Sequence, residues 1–162
     1  MKENVEIAIV DPTSAEAQQC LAAYFAEIGS RFPGGFDPAK GKGAPDHDDF
    51  RPPRGCLLLA RRNGEPIGCG ALRTLETGVG EIKRMWIAPS ARGIGLGRRL
   101  LAELESEALR YHFHTVRLDT NATLDEALNL YRSSGYREIP RFNENPYAQH
   151  WFEKTLPNTA GC

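Results

Sequence analysis

The residues whose types and spacing are suited to chemistry begin with Arg92-Gly93-Ile94-Gly95-Leu96-Gly97-Arg98-Arg99, where three glycines alternate with two aliphatic residues between arginines. Glycines leave backbone N–H groups uncovered, and the amphipathic pattern that follows places a helix N-terminus at this point, so the stretch suits a phosphate-bearing ligand. Arg98 and Arg99 fall in the first turn of that helix while Glu103, Glu105 and Glu107 lie further along it. This order opposes the helix macrodipole, and a bound anion accounts for it. Two other clusters carry reactive groups. Asp46-His47-Asp48-Asp49 offers oxygen and imidazole ligands, but consecutive residues rarely converge on one ion, so it reads as a solvated turn and no metal is expected. Arg84, Arg141 and His150 could bind a carboxylate, with Tyr147 and Trp151 nearby in the last segment.

The elements that must position these groups follow from composition and periodicity. The 162 residues fit one domain over 1–162, with 41% hydrophobic and 25% charged residues and a net charge of -1. Nothing global points to nucleic acid or to an anionic membrane. Cys20, Cys56, Cys69 and Cys162 lack CxxC spacing, and the chain has no apolar run of spanning length or of signal-peptide type, so a cytoplasmic location is expected. Residues 5–10 form a β-branched strand, and Thr13 with Glu16 makes a capping box for a helix to about Ile28. Leu21, Tyr24, Phe25 and Ile28 share its core face. The segment 29–54, rich in Gly and Pro, is long enough to serve as an active-site loop. Strands at 56–62, 66–74 and 78–89, with Asn63-Gly64 as a hairpin turn, make an antiparallel meander. A helix over 97–111, a strand at 115–120, a helix from about Thr123 to Gly135, and strands at 136–139 and 150–156 complete the chain, with a frayed tail at 157–162. The order is mixed α/β (α+β), an antiparallel part with crossover helices.

The glycine spacing does not fit a dinucleotide fingerprint, because Arg98 stands where the third glycine should be, and no GK[ST] follows for a Walker loop. It resembles the GNAT superfamily of acyl-CoA-dependent N-acyltransferases. The resemblance rests on Arg92-Gly93-Ile94-Gly95-Leu96-Gly97 after Met85-Trp86-Ile87-Ala88-Pro89, and on Leu118-Asp119-Thr120-Asn121 followed by Ala127, Leu130-Tyr131 and Gly135-Tyr136. It covers roughly 56–152. One departure is Leu124, where many members carry asparagine; Asn121 lies one turn earlier.

The resemblance implies the GNAT fold, a central, mostly antiparallel twisted sheet of about six to seven strands flanked by helices, with a splayed parallel pair that holds acyl-CoA. It implies N-acetyl transfer from acetyl-CoA to a primary amine by direct attack in a ternary complex. Gly93, Ile94, Gly95, Leu96, Gly97 and Arg98, with Arg92, would hold the pyrophosphate of CoA. The backbone of Met85, Trp86 and Ile87 would pair with pantetheine, the Ile87 N–H facing the oxyanion, and Asn121 would add a cofactor contact. Tyr131 matches the family's general acid, and Glu81 the position of a base acting directly or through water. The expected acceptor is a small-molecule amine, read by Arg84, Arg141, Tyr147 and His150. A homodimer is compatible with the reading, and no metal, nucleic acid or membrane partner is implied. The rival readings are a catalytically silent acyl-CoA-binding module, a protein N-terminal or lysine acetyltransferase, and a nucleotide-dependent enzyme.

Overall fold

A computed structural model describes residues 4–31, 46–120 and 125–157. Strand β1 (Val5–Val10) leads to helix α1 (Ala15–Arg31). Ser14 rather than Thr13 caps this helix, its hydroxyl accepting from the Ala17 N–H at 3.3 Å. Thr13 is held by Asp11, and Glu16 reaches across to Arg61 at 2.6 Å, so the expected capping box is replaced by a strand-to-helix ion pair. Gly29 does not end the helix, which continues to Arg31, paired with Glu27 one turn back. Residues 32–45 of the long loop lie outside the described residues. Its end forms a short 3-10 helix, His47–Phe50, capped by Asp46 and carrying the buried Phe50 into the core.

Strands β2 (Gly55–Arg62), β3 (Glu65–Glu76) and β4 (Val79–Ile87) form the meander. Asn63 and Gly64 both take positive φ, 52° and 83°, as a two-residue hairpin turn requires. Helix α2 (Leu96–Arg110) crosses over to β5 (Thr115–Thr120), followed by helix α3 (Asp125–Ser133), β6 (Arg137–Ile139) and β7 (His150–Thr155). The sheet has seven strands in the order β1-β2-β3-β4-β5-β7-β6. Every neighbouring pair is antiparallel except β4 with β5.

Alternation along β2 feeds two cores, which is why the strand is apolar almost throughout. Leu57 and Leu59 meet Ala17, Cys20, Leu21 and Phe50 on the α1 side. Leu58 and Ala60 join Leu100, Leu101, Leu104 and Ala108 of α2 on the other.

Two irregularities in β4 prepare the site. Cys69 is opposite Trp86 but Ala71 is opposite Lys83, so Arg84 and Met85 together face Gly70 in a β-bulge, with Arg84 at φ 57°. Gly70 makes room, since a Cβ there would lie 2.9 Å from Met85 Sδ. The parallel pairing of β4 with β5 spans only Val79–Glu81 against Thr115–Arg117, whereas β4 runs on to Ile87 and β5 to Thr120. Beyond Glu81 the two strands part and leave a fork.

Candidate active site

A cleft of about 490 Å³ adjoins the fork, lined by Tyr24, Glu27 and Ile28 of α1, by Met85, Trp86 and Ile87 of β4, by the glycine loop, and by Ala127, Leu130 and Tyr131 of α3. The Ala88 N–H donates to the Ile67 carbonyl at 2.8 Å. By the alternation of an antiparallel ladder, the N–H of Ile87 therefore points away from β3 and into the fork.

The glycine loop begins with a short 3-10 turn, Pro89–Ala91. Gly93 and Gly95 take φ of 85° and 83°, and Gly95 is the N-cap of α2. A Cβ on either would meet nothing within 4 Å, so conformation rather than crowding demands glycine here. Gly95→Ala is expected to keep the fold and to lower stability by about 1–2 kcal/mol, the cost of a left-handed L-residue; thermal denaturation measures it, and an unchanged melting temperature would remove the conformational account. Arg92, Gly93, Gly95, Leu96, Gly97 and Arg98 all line the cleft, while Ile94 is outside its lining and half exposed.

The arginines have different duties. Arg99 donates to the Val5 carbonyl at 3.0 Å and so ties α2 to β1. Arg92 donates to the Ile87 carbonyl at 3.0 Å, and Glu27 already matches its charge. Arg98 is held by the hydroxyls of Ser133 and Ser134 at 2.8 and 3.2 Å, neither of them charged. Of the two arginines in the first helical turn, then, Arg98 is the one that lines the cleft, and among the described residues no carboxylate pairs with it.

Tyr131 is 6% exposed, its ring 5.9 Å from Tyr136 and 6.2 Å from Phe152. Burial, helped by the charge of Asp119, pushes its phenol well above the ordinary tyrosine value, so it is protonated at neutral pH. Tyr24 is raised for the same reasons and also feels Tyr131. The apolar stripe of α1 predicts Tyr24 in the core, whereas it forms cleft wall; the one signal in the sequence is a hydroxyl in that stripe, which needs a polar outlet.

Glu81 is fully buried and outside the cleft lining. It accepts from Arg73 Nε at 2.7 Å and from Asn143 Nδ2 at 3.2 Å, with Lys83 Nζ at 3.5 Å. Asn143 Nδ2 also donates to Asp119, which accepts from Asn145 at 3.0 Å as well. A polar cluster thus fills the base of the fork. The sequence singles out Arg141, Tyr147 and His150 in this segment and not Asn143 and Asn145, which read there as turn residues.

The acceptor candidates do not converge. Arg84 sits on the α1 side over Phe25 and Phe50. Arg141 stacks on Trp151 and donates to the Asn143 carbonyl at 2.9 Å. His150 pairs with Glu138 at 2.6 Å. Tyr147 is half-buried, its N–H bonded to the Asn145 side chain. Asn121 and Leu124 lie outside the described residues. In the acidic run, Asp46 caps the 3-10 helix, Asp48 pairs with Arg51, and Asp49 lies 4.0 Å from Arg73.

Comparison with known proteins places this geometry in context. The model of the Acetyltransferase (GNAT) family matches residues 21–136. An "IAA acetyltransferase" of Azospirillum brasilense is 35% identical over 145 residues, covering 89% of this chain and 90% of that protein. A solved structure from Klebsiella pneumoniae, described as an acyl-CoA N-acyltransferase, is 33% identical and superposes with a TM-score of 0.76 over 94% of this chain and 98% of its own. A GNAT family acetyltransferase from Elizabethkingia anophelis, solved with acetyl-CoA bound, shares the fold at a TM-score of 0.66 and 19% identity, covering 96% of this chain and 100% of its own.

Proposed function

Because the chain belongs to the GNAT acetyltransferase family and is an acyltransferase, we propose that it transfers an acetyl group from acetyl-CoA to the primary amine of a small molecule, by direct attack in a ternary complex. The observation that carries this is a single cleft joining the glycine cradle, the unpaired edge of β4 and the phenol of Tyr131.

The residues fit an acyl-CoA. Open space over Gly93 and Gly95, the N-terminus of α2 and the charge of Arg98 suit a pyrophosphate. The unpaired edge of β4 from Met85 to Ile87 offers backbone groups to an extended, amide-bearing arm. When bound, acetyl-CoA supplies an activated acyl carbon. The Ile87 N–H is aimed to stabilise the charge that develops on its carbonyl oxygen. Tyr131, protonated at neutral pH, donates a proton to the departing sulfur. Glu81 takes the amine proton through water in the fork, since its buried carboxylate does not reach the cleft.

Acetyl-CoA is expected to stabilise the protein. At a concentration one hundred times its dissociation constant the gain is about 2.7 kcal/mol, or roughly 5–10 °C in melting temperature for a domain of this size. Thiol release from acetyl-CoA across an amine panel then distinguishes an enzyme from a silent binder. A shift with ATP or NAD and none with acetyl-CoA would overturn the reading.

A further inference from the structure

Two hydrogen-bond donors on the α1 side of β4 have no acceptor among the described residues. The guanidinium of Arg84 lies 5.2 Å from the centre of the Phe25 ring and 4.9 Å from that of Phe50. It takes part in none of the ion pairs among the described residues. The carboxylate whose charge acts on Arg84 is that of Asp49, which also lies 4.0 Å from Arg73. Two residues along, Trp86 Nε1 is, among the described residues, the one buried side-chain nitrogen or oxygen with no hydrogen-bond partner. Trp86 belongs to the cleft wall with Tyr24 and packs against the same core cluster as Phe25 and Phe50.

Both groups are out of place in an apolar setting unless something completes them. A largely buried arginine ordinarily has an anion beside it, and a buried indole N–H ordinarily finds an acceptor. Burial lowers the pKa of Arg84, the mark of a cation held in apolar surroundings without a full counter-charge. Its backbone adds a second sign. Arg84 takes φ 57° in the bulge, a conformation that an arginine adopts at a cost and that is commonly retained where function requires it. The two aromatic rings attract the guanidinium but offer its N–H groups no oxygen acceptor, which a planar or tetrahedral oxyanion would supply.

We propose that Arg84 and Trp86 form an anion subsite for the acceptor, so that the amine acetylated here belongs to a molecule that also carries a carboxylate or phosphonate. The assignment of an acceptor rests on the acetyltransferase reading; the binding of an acid by these two residues does not. The acid is gripped on the α1 side of β4, and the amine at the other end of the molecule extends toward Tyr24 and Tyr131.

The test is calorimetric titration of the CoA-saturated protein with matched pairs, 2-aminoethylphosphonate against ethanolamine and L-aspartate against its diamide. The acid of at least one pair is expected to bind tenfold or more tightly than its neutral partner. Arg84→Gln, which keeps a similar backbone cost at the bulge, is expected to abolish that preference while leaving the neutral amine within twofold. Trp86→Phe is expected to weaken the acid several-fold. Equal binding within every pair, no binding of any acid, or a preference that survives in Arg84→Gln overturns the subsite. Discrimination in the wild-type protein needs no variant to fold. Thiol release from acetyl-CoA in the same samples reads the enzymatic activity separately: acid preference without release supports the subsite and overturns acetyl transfer instead.

Discussion

Tyr131→Phe is expected to lower kcat for thiol release by about 10²-fold, the lower end of what a positioned general acid contributes, or roughly 2.7 kcal/mol of barrier. Phenylalanine keeps the ring that packs at 5.9 Å from Tyr136 and 6.2 Å from Phe152, so the fold and the affinity for CoA should be retained. The substitution removes the hydroxyl alone. The direction of the pKa shift adds a second readout. Burial and the charge of Asp119 favour the neutral phenol, so the proton is kept to a higher pH than by a free tyrosine of pKa about 10. In the wild-type enzyme, therefore, kcat should show no alkaline decline from this group below about pH 10. Tyr24→Phe is the control, because Tyr24 shares the cleft and the same shift without lying on the helix that carries Tyr131. An unchanged rate in Tyr131→Phe would leave that residue a packing role only.

Glu81→Ala should have the largest effect on stability, about 3–5 kcal/mol, as expected when one partner of a buried ionic cluster is removed. The carboxylate is fully buried and meets Arg73, Lys83 and Asn143. Among the described residues its loss leaves Arg73 with Asp49 at 4.0 Å, Lys83 with Asp119 at 3.9 Å and Asn143 with Asp119, and no other carboxylate at the base of the fork. The expected fall in melting temperature is on the order of 10 °C. Glu81→Gln keeps the shape and one acceptor, and separates scaffold from chemistry. If Glu81 takes the amine proton through water, Glu81→Gln loses about 10²-fold in kcat at a temperature where it is folded. A rate within a few-fold of wild type would confine Glu81 to holding β4 and β5 together.

Much of this architecture is legible in the sequence because it depends on local signals. The continuous apolar run of β2, the Asn63-Gly64 turn and the stripe of Leu100, Leu101, Leu104 and Ala108 on α2 each state their own structure. The glycine loop is legible for the same reason, since alternating glycines have few other uses before a helix. What the sequence hides is relational. No local pattern separates Arg84 in a bulge from an arginine in regular strand, because the register shift is decided by Gly70 on the neighbouring strand and the room it leaves. Gly29 continues α1 because contacts on both sides of it outweigh a propensity of about 1 kcal/mol. Tyr24 and Phe25 share an apolar stripe, yet the cleft divides them: one lines its wall and the other carries a guanidinium. Asn143 and Asn145 look like turn residues until the fork brings Glu81 and Asp119 beside them.

The β4–β5 seam has a consequence for how the protein breathes. The four strands β1 to β4 form one plate and β5, β7 and β6 another, joined within the sheet by the pairing of Val79–Glu81 with Thr115–Arg117. β2 has hydrogen-bonded neighbours on both sides, and its amide protons should be released to solvent only when the whole domain opens. The N–H of Ile87, turned toward the fork, belongs to the opposite regime and should exchange through small local fluctuations. An extended ligand arm lodged there would supply the rungs that the strands lack. Occupancy of the cleft would then be felt as stiffness across both plates, linking the far strands β6 and β7 to the filling of a site that they do not themselves line.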